Sequence, residues 1–322
     1  MSATPLPAAV VLGTRSSALA RVQTAGVIEL LTAARPGLAC RVKAIVTQGD
    51  RTQGSGRPLP EIGGKGLFTL ELERELLEGA IDMAVHSLKD LPTEPASGVV
   101  IGAICAREDA RDCLVARDGL TLAELPSGAA VGTSSLRREA QLRALRPDLE
   151  TRSIRGNVDT RVRKVRQGEY DAAVLAAAGI RRLGLEAEVT EWLEPATMLP
   201  APGQGALAVQ CRADDERMLA LLGAIDDRVA RATATAERAF LRALGGGCAA
   251  PVGAHARVAS RRASDKVSQG MILVTLNALV ASRDGRKIVR VAGEGEPDEL
   301  GERLAQEALA AGADRILEAI RG

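Results

Sequence analysis

Three kinds of side chain in this sequence stand where they could do chemistry: a carboxylate beside an ammonium, a cysteine framed by glycines, and arginines at the starts of helices. The carboxylate is Asp90, next to Lys89 in Ser87-Leu88-Lys89-Asp90, directly after the apolar run 81–85. A turn that follows a strand is where α/β proteins present reacting groups. In a cleft facing N–H donors, Asp90 would stay ionised and stabilise a cation forming beside it. On open surface the Lys89–Asp90 pair would contribute almost nothing. The cysteine is Cys248, in Gly245-Gly246-Gly247-Cys248. One glycine is enough to cap a helix, and two more free the loop to turn Cys248 toward a cleft, where its thiolate is an attachment point. Cys40, Cys105, Cys113 and Cys211 read instead as buried structural thiols.

Of the 42 Lys and Arg residues only six are Lys, at 43, 65, 89, 164, 266 and 287. GC-rich codon usage accounts for most of this excess of Arg, so placement and not number must carry function. Arg137 and Arg138 fall in the first turn of a helix entered through Thr133-Ser134-Ser135. There the helix dipole disfavours cations by a few tenths to about 1 kcal/mol. A bound anion would remove the conflict, because backbone N–H groups, hydroxyls and both guanidiniums converge on it. Arg15 with Ser16 and Ser17 repeats the arrangement; Arg155-Gly156-Asn157 through Arg161 supplies a third, and Arg181-Arg182 a fourth. Any one of these could be a solvated surface arginine. As a set they suit a ligand bearing several carboxylates, each gripped by a planar fork.

Much else is excluded. His86 and His255 are the only histidines, so neither a histidine-rich metal site nor a Ser-His-Asp triad is expected, and no metal is assigned. The five cysteines are odd in number, with no CxxC spacing, which points to a reducing compartment. A net charge of +1 and 1% aromatic residues argue against a nucleic-acid partner. No apolar run approaches the roughly 18 to 20 residues of a membrane span. The apolar run 8–12 has no basic residue before it, so a secretory signal is not expected.

These groups need a scaffold, and the chain alternates strand-like with helix-like patterns. A strand at 8–12 leads to a helix with Leu19, Val22, Val27, Leu30 and Leu31 at helical spacing, stopped by Pro36-Gly37. A strand near 41–47 precedes a Gly- and Pro-rich segment, 48–66, expected to be a mobile surface loop. Then comes a helix with Phe68, Leu72 and Leu76 on one face, closed by Gly79, and a strand at 81–85. An internal echo follows. Gly13-Thr14-Arg15-Ser16-Ser17 with Gln23 is matched by Gly132-Thr133-Ser134-Ser135 with Gln141. Likewise Gly79, Asp82, Ala84 and Val85 are matched by Gly168, Asp171, Ala173 and Val174. The expectation is two similar α/β lobes with mixed, mostly parallel sheets around a cleft. Residues 199–205 read as a crossing between them. Beyond Asp226 a helix over 227–244, strands near 252–258, 272–281 and 287–292 with an Asp284-Gly285 hairpin, and a last helix from Pro297 read as a smaller α+β domain with a three-stranded antiparallel sheet. The expected division is 1–105 with 204–223, then 109–200, then 227–322.

Read together, these segments resemble the porphobilinogen deaminase family, also called hydroxymethylbilane synthases. The resemblance rests on Gly13-Thr14-Arg15-Ser16-Ser17-Ala18-Leu19-Ala20, Gly63-Gly64-Lys65-Gly66-Leu67-Phe68, His86-Ser87-Leu88-Lys89-Asp90-Leu91-Pro92, Gly132 to Arg138, Arg155-Gly156-Asn157-Val158 with Arg161, and Pro202-Gly203-Gln204-Gly205. Their order and spacing extend from about Val10 to the last helix.

The resemblance implies a cytoplasmic, monomeric, three-domain enzyme whose lobes are similar to those of periplasmic binding proteins. It implies a dipyrromethane cofactor attached as a thioether to Cys248. Porphobilinogen loses ammonia to give an electrophilic azafulvene, the terminal pyrrole's α-carbon attacks it, and a ring proton leaves. Four additions precede hydrolytic release of linear hydroxymethylbilane, which uroporphyrinogen-III synthase would receive. Carried over by position, Arg15, Ser17, Lys89, Ser134, Arg137, Arg138, Arg155, Arg161 and Arg182 would bind the acetate and propionate groups. Asp90 would face the pyrrole N–H groups, and Lys65 and Phe68 would lie on the loop near the cofactor. Ala249-Ala250 departs from the Ser and Val of many relatives, which touches packing and leaves the thiol chemistry intact. A reading from another class is a two-lobed solute-binding or ligand-sensing module for a polycarboxylate. A glycine-framed cysteine argues against it, since reversible binding needs none.

Overall fold

The computed structural model describes residues 7–51, 69–245, 251–259 and 272–321. β1 (Ala9–Arg15) carries Val10 and Leu12 into the core. Ser17 then opens α1 (Ala18–Ala34), its Oγ accepting from the Ala20 N–H at 3.3 Å. The helix buries Ala20, Gln23, Thr24, Val27 and Leu31, the inward stripe of a 3.6-residue period. β2 (Ala39–Ile45) lies parallel to β1. Where a mobile loop was expected to begin, Gln48–Arg51 form a helical turn around Asp50, which accepts from the Thr47 hydroxyl at 2.8 Å and from Arg15. The rest of that loop, with Lys65, and also Phe68 and Cys248, lies outside the described residues.

α2 (Leu70–Leu77) buries Leu72 and Leu76, and β3 (Met83–Ser87) begins two residues later than its apolar run suggested. β4 (Val99–Ile104) completes the first half of this lobe. The second lobe supplies β5 (Asp112–Ala116), β6 (Ala130–Gly132), α3 (Leu136–Leu145), β7 (Glu150–Arg152), α4 (Val158–Arg166), β8 (Ala172–Ala176), α5 (Ala177–Arg182) and β9 (Glu191–Leu193). The chain then returns through β10 (Leu207–Arg212) and α6 (Glu216–Gly223).

The sheet orders are β2-β1-β3-β10-β4 and β7-β6-β8-β5-β9. In each, one strand, β10 or β5, runs against four that share a direction. The echo in the sequence is therefore an echo in topology. Its aspartates do the same work in both halves: Asp82 accepts from the Val11 N–H and Asp171 from the Ala130 N–H, each at 2.8 Å. Gly79 and Gly168 precede them at φ of +72° and +76°, a conformation that favours glycine.

The remaining unit starts with α7 (Arg228–Ala243), capped by Asp227 through the Ala230 N–H at 2.7 Å. β11 (Val252–Val258), β12 (Val274–Ala281) and β13 (Ile288–Gly295) form an antiparallel sheet, the last two joined at Asp284-Gly285 as expected. α8 (Pro297–Ala308) carries Pro at its start. The single closing helix expected from the pattern is two helices, because Leu309–Ala313 form a wide turn with Gly312 at φ +101° before α9 (Asp314–Arg321). Phe240, Leu276, Val280 and Leu304 lie in its core. None of the described helices is long and apolar enough to cross a membrane.

Glu237 of α7 is wholly buried where the three parts meet. It accepts from Arg107 Nη1 (2.7 Å) and Nη2 (3.0 Å), from the Gly203 N–H (2.7 Å) and from the Ala256 N–H of β11 (2.7 Å). A buried carboxylate is tolerable only when hydrogen-bonded in this way. Both interlobe crossings are thus tied to the third unit.

Candidate active site

Leu88–Asp90 form a single 3₁₀ turn at the end of β3. Leu88 and Leu91 anchor it in the core against Ala206 and Ala234. From α7, Arg238 grips its carbonyls: Nη1 donates to Leu91 O at 3.1 Å and Leu88 O at 3.5 Å, and Nη2 to Pro92 O at 2.6 Å. A turn held at three oxygens fixes the backbone from which the Asp90 side chain projects. Its carboxylate is half-buried and, among the described residues, makes no hydrogen bond or ion pair. Lys89 and Arg161 act on it at longer range.

Lys89 donates to Gln204 Oε1 at 3.2 Å. Burial and the nearby Arg138 push its pKa down to about 8, with Asp90 and Asp112 pulling the other way. Arg161 lies close by, its Nε donating to Gly156 O at 2.8 Å. Burial, then the charges of Arg138 and Arg155, bring its pKa down to about 10. Arg155 is lowered by burial as well, and its Nε and Nη2 are buried with no hydrogen-bond partner among the described residues. Such donors cost about 1–3 kcal/mol each unless something accepts from them.

At the helix start that carries Arg137 and Arg138 an anion already stands in the fold. Their anion is the protein's own Asp112, the first residue of β5. Arg137 Nη1 donates to its Oδ2 at 2.8 Å and to Leu199 O at 2.7 Å. Arg138 Nε and Nη2 donate to Oδ1 at 3.2 and 2.7 Å, and Nη1 to Val174 O at 2.9 Å. All three side chains are buried. Burial would raise the Asp112 pKa, but the two guanidiniums win and hold it well below the usual carboxylate range.

The other expected positions are at the edges of this group. Arg15 pairs with Asp50 at 2.5 Å, and Ser17 caps α1. Ser134 Oγ donates to Ile154 O at 2.7 Å. Arg182, its pKa lowered by burial, reaches across to Gly205 O at 2.8 Å. Arg181 turns away, exposed, toward Asp109 at 3.3 Å and the Trp192 ring at 5.2 Å. The structure therefore gathers Lys89, Asp90, Arg138, Arg155 and Arg161 within one another's fields, with Arg182 on the crossing segment.

Residues 10–220 match the family model described as porphobilinogen deaminase, dipyromethane cofactor binding domain, and residues 231–310 match its C-terminal domain. This chain belongs to the porphobilinogen deaminase family. It is 50% identical over 309 residues to the porphobilinogen deaminase of Roseiflexus sp. (strain RS-1), covering 95% of this chain and 98% of that one. It is 45% identical over 312 residues to that of Bacillus subtilis (strain 168), covering 96% of each. The Bordetella pertussis BvgS periplasmic VFT2 domain is similar at a TM-score of 0.41 and 14% identity, over 68% of this chain and 86% of that one.

The residues present fit the family's dipyrromethane. A group with several carboxylates and pyrrole N–H donors matches a pair of buried Arg155 nitrogens and an Asp90 carboxylate that, among the described residues, have no hydrogen-bond partner. Arg155, Arg161 and Lys89 would hold its acid side chains, and Asp90 its ring nitrogens. Sequence reasoning missed Asp112, Gln204, Glu237 and Arg238. Asp112 opens an apolar run and Glu237 interrupts the apolar stripe of α7, which were signals of buried charges needing partners. Gln204 stood inside a family motif, and Arg238 left no signal.

Proposed function

We propose that this transferase-family chain is a hydroxymethylbilane synthase. It condenses four porphobilinogen molecules on a dipyrromethane primer attached to Cys248, then releases linear hydroxymethylbilane by hydrolysis. The observation that carries this reading is the Asp90 carboxylate, carried among cations on an anchored turn yet making no hydrogen bond among the described residues, in a chain matched by the family over residues 10–220 and 231–310. When bound, the dipyrromethane supplies a nucleophilic pyrrole α-carbon as the point of growth. Asp90 accepts from the ring N–H groups, stabilises positive charge developing on the ring that loses ammonia, and assists removal of the ring proton. Lys89, Arg155 and Arg161 bind the acetate and propionate groups and set the ring's distance from Asp90. Arg15, Ser17, Ser134 and Arg182 extend this binding surface, and Lys65 and Phe68 belong to its loop. Arg137 and Arg138 act partly through Asp112, adding positive potential from beneath.

The reading includes a division into 1–105 with 204–223, 109–200 and 227–322, action as a cytoplasmic monomer, and passage of the product to uroporphyrinogen-III synthase. The alternative of a polycarboxylate-binding module keeps only a distant likeness of fold. The test is incubation of the purified protein with porphobilinogen, following substrate loss and uroporphyrin absorbance after oxidation, with intact-mass measurement. Turnover and a covalent mass surplus equal to a dipyrromethane, lost in Cys248→Ser, are expected. An unmodified protein with full activity would refute the attachment, and a folded, pyrrole-loaded protein without turnover would refute the reaction.

A further inference from the structure

The crossing segment that returns the chain to the first lobe carries a wholly buried polar side chain, Gln204. Its Nε2 donates to Ala110 O at 2.8 Å, Arg111 O at 3.1 Å and Asp112 Oδ1 at 2.8 Å. Its Oε1 accepts from Lys89 Nζ at 3.2 Å. The amide is a direct bridge from the lysine of the first lobe to the Asp112–Arg137–Arg138 cluster of the second. Its orientation follows from chemistry: flipped, it would set its NH₂ against an ammonium and its oxygen against two carbonyls and a carboxylate.

The backbone around Gln204 is built to aim it. Gly203 and Gly205 have φ of +75° and +93°. A Cβ on Gly205 would lie 2.3 Å from Glu108 O, and the Gly203 N–H donates to Glu237 at 2.7 Å. The Gln204 carbonyl accepts from Arg107 Nε at 2.8 Å. Two glycines, a buried carboxylate and an arginine thus hold one amide between the lobes. A neutral acceptor has a further property here. A carboxylate in its place would add a negative charge beside Lys89, whereas an amide oxygen orients the ammonium without adding one.

We propose that Gln204 is a positioning residue for the reaction: its amide holds Lys89 in the direction from which it receives a carboxylate of porphobilinogen, and ties that direction to the placement of the second lobe. This rests on the assignment of Lys89 to substrate carboxylates. Lys89 must be protonated to bind, so kcat/KM falls as pH rises through its pKa. Removing the acceptor disfavours the ammonium and moves that fall to lower pH.

The test compares Gln204→Met, which keeps length and loses the hydrogen bonds, with Gln204→Asn, whose shorter amide does not reach Lys89. Each is measured for thermal midpoint, KM, kcat and the pH profile of kcat/KM, alone and with Lys89→Ala. In both variants KM is expected to rise about tenfold with a smaller change in kcat, and the basic limb to move down by about half to one unit. In the Lys89→Ala background either substitution adds little. A lowered thermal midpoint with an unmoved basic limb, and equal losses with and without Lys89, overturns the proposal and makes Gln204 structural only. If Gln204→Met does not fold, Gln204→Asn decides alone by the same criterion. Lys89→Ala with unchanged KM and pH profile overturns the assignment of Lys89 itself, which separates that failure from a failure of Gln204.

Discussion

Asp112 and Asp90 are both carboxylates set among arginines, and the protein treats them in opposite ways. Asp112 is sealed, and Arg137, Arg138 and Gln204 all donate to it. Asp90 is half-buried and accepts nothing among the described residues, while Arg155 nearby holds two buried nitrogens without acceptors. A satisfied cluster stabilises the fold and shapes the potential around it. An unsatisfied one is where a ligand can complete what the protein leaves open. Arginines that look alike in the sequence are thereby separated: Arg138 belongs to the first kind, Arg137 mainly so although its buried Nε has no acceptor among the described residues, and Arg155 to the second.

The largest effect is expected where each carboxylate is removed. Asp90→Asn should lower turnover about 10²- to 10³-fold, by loss of charge stabilisation in the transition state, with urea unfolding unchanged. Comparable activity in that variant would end the distinction at once. Asp112→Ala should do the reverse in emphasis, destabilising the fold by about 3–5 kcal/mol because two buried guanidiniums lose their anion. Its pH dependence has a definite sign. The folded pKa of Asp112 is depressed, so its stabilisation is full above the unfolded value of about 3.9 and is lost as pH falls through the folded value. Acid titration of unfolding free energy in wild type and variant should therefore converge only in strong acid.

Arg155→Leu sharpens the contrast further. Removing donors that lack acceptors should leave stability unchanged or raise it by up to about 1 kcal/mol, while intact-mass spectra show stalled cofactor assembly or trapped partial chains. Smooth kinetics with unchanged products would place Arg155 outside the binding set. Smaller still is the pH effect in wild type, where kcat/KM should decline above about pH 8 as Lys89, at about 8, loses its proton. A profile flat to pH 9.5 would contradict it. The smallest is Arg181→Ala: its guanidinium is exposed and paired at the surface, so stability should move by less than about 0.5 kcal/mol and turnover not at all.

The two-lobe plan was legible because local patterns repeat: Gly79 with Asp82 and Gly168 with Asp171 recur before strands in both halves, and each aspartate satisfies one backbone N–H nearby in the sheet. The hairpin at Asp284-Gly285 and the start of α8 at Pro297 were legible for the same reason, since turn and cap preferences act over a few residues. The break at Gly312 was missed, because a single glycine in a helical pattern is compatible with either continuation or a turn. At the site, Asp90, Lys89 and the arginines were visible as residue types suited to anions. Which arginine was already partnered was not.

Sequence alone determined the chemistry on offer: a carboxylate, a lysine, permanent cations and a glycine-framed thiol at spacings that fit one family. Tertiary structure decided how those charges are distributed. Asp112 meets Arg137 and Arg138 across 25 and 26 residues, and Gln204 meets Lys89 across 115. Pairings over such separations depend on sheet order and crossing geometry, where burial makes an ion find its partner, and no local pattern encodes which partner that is.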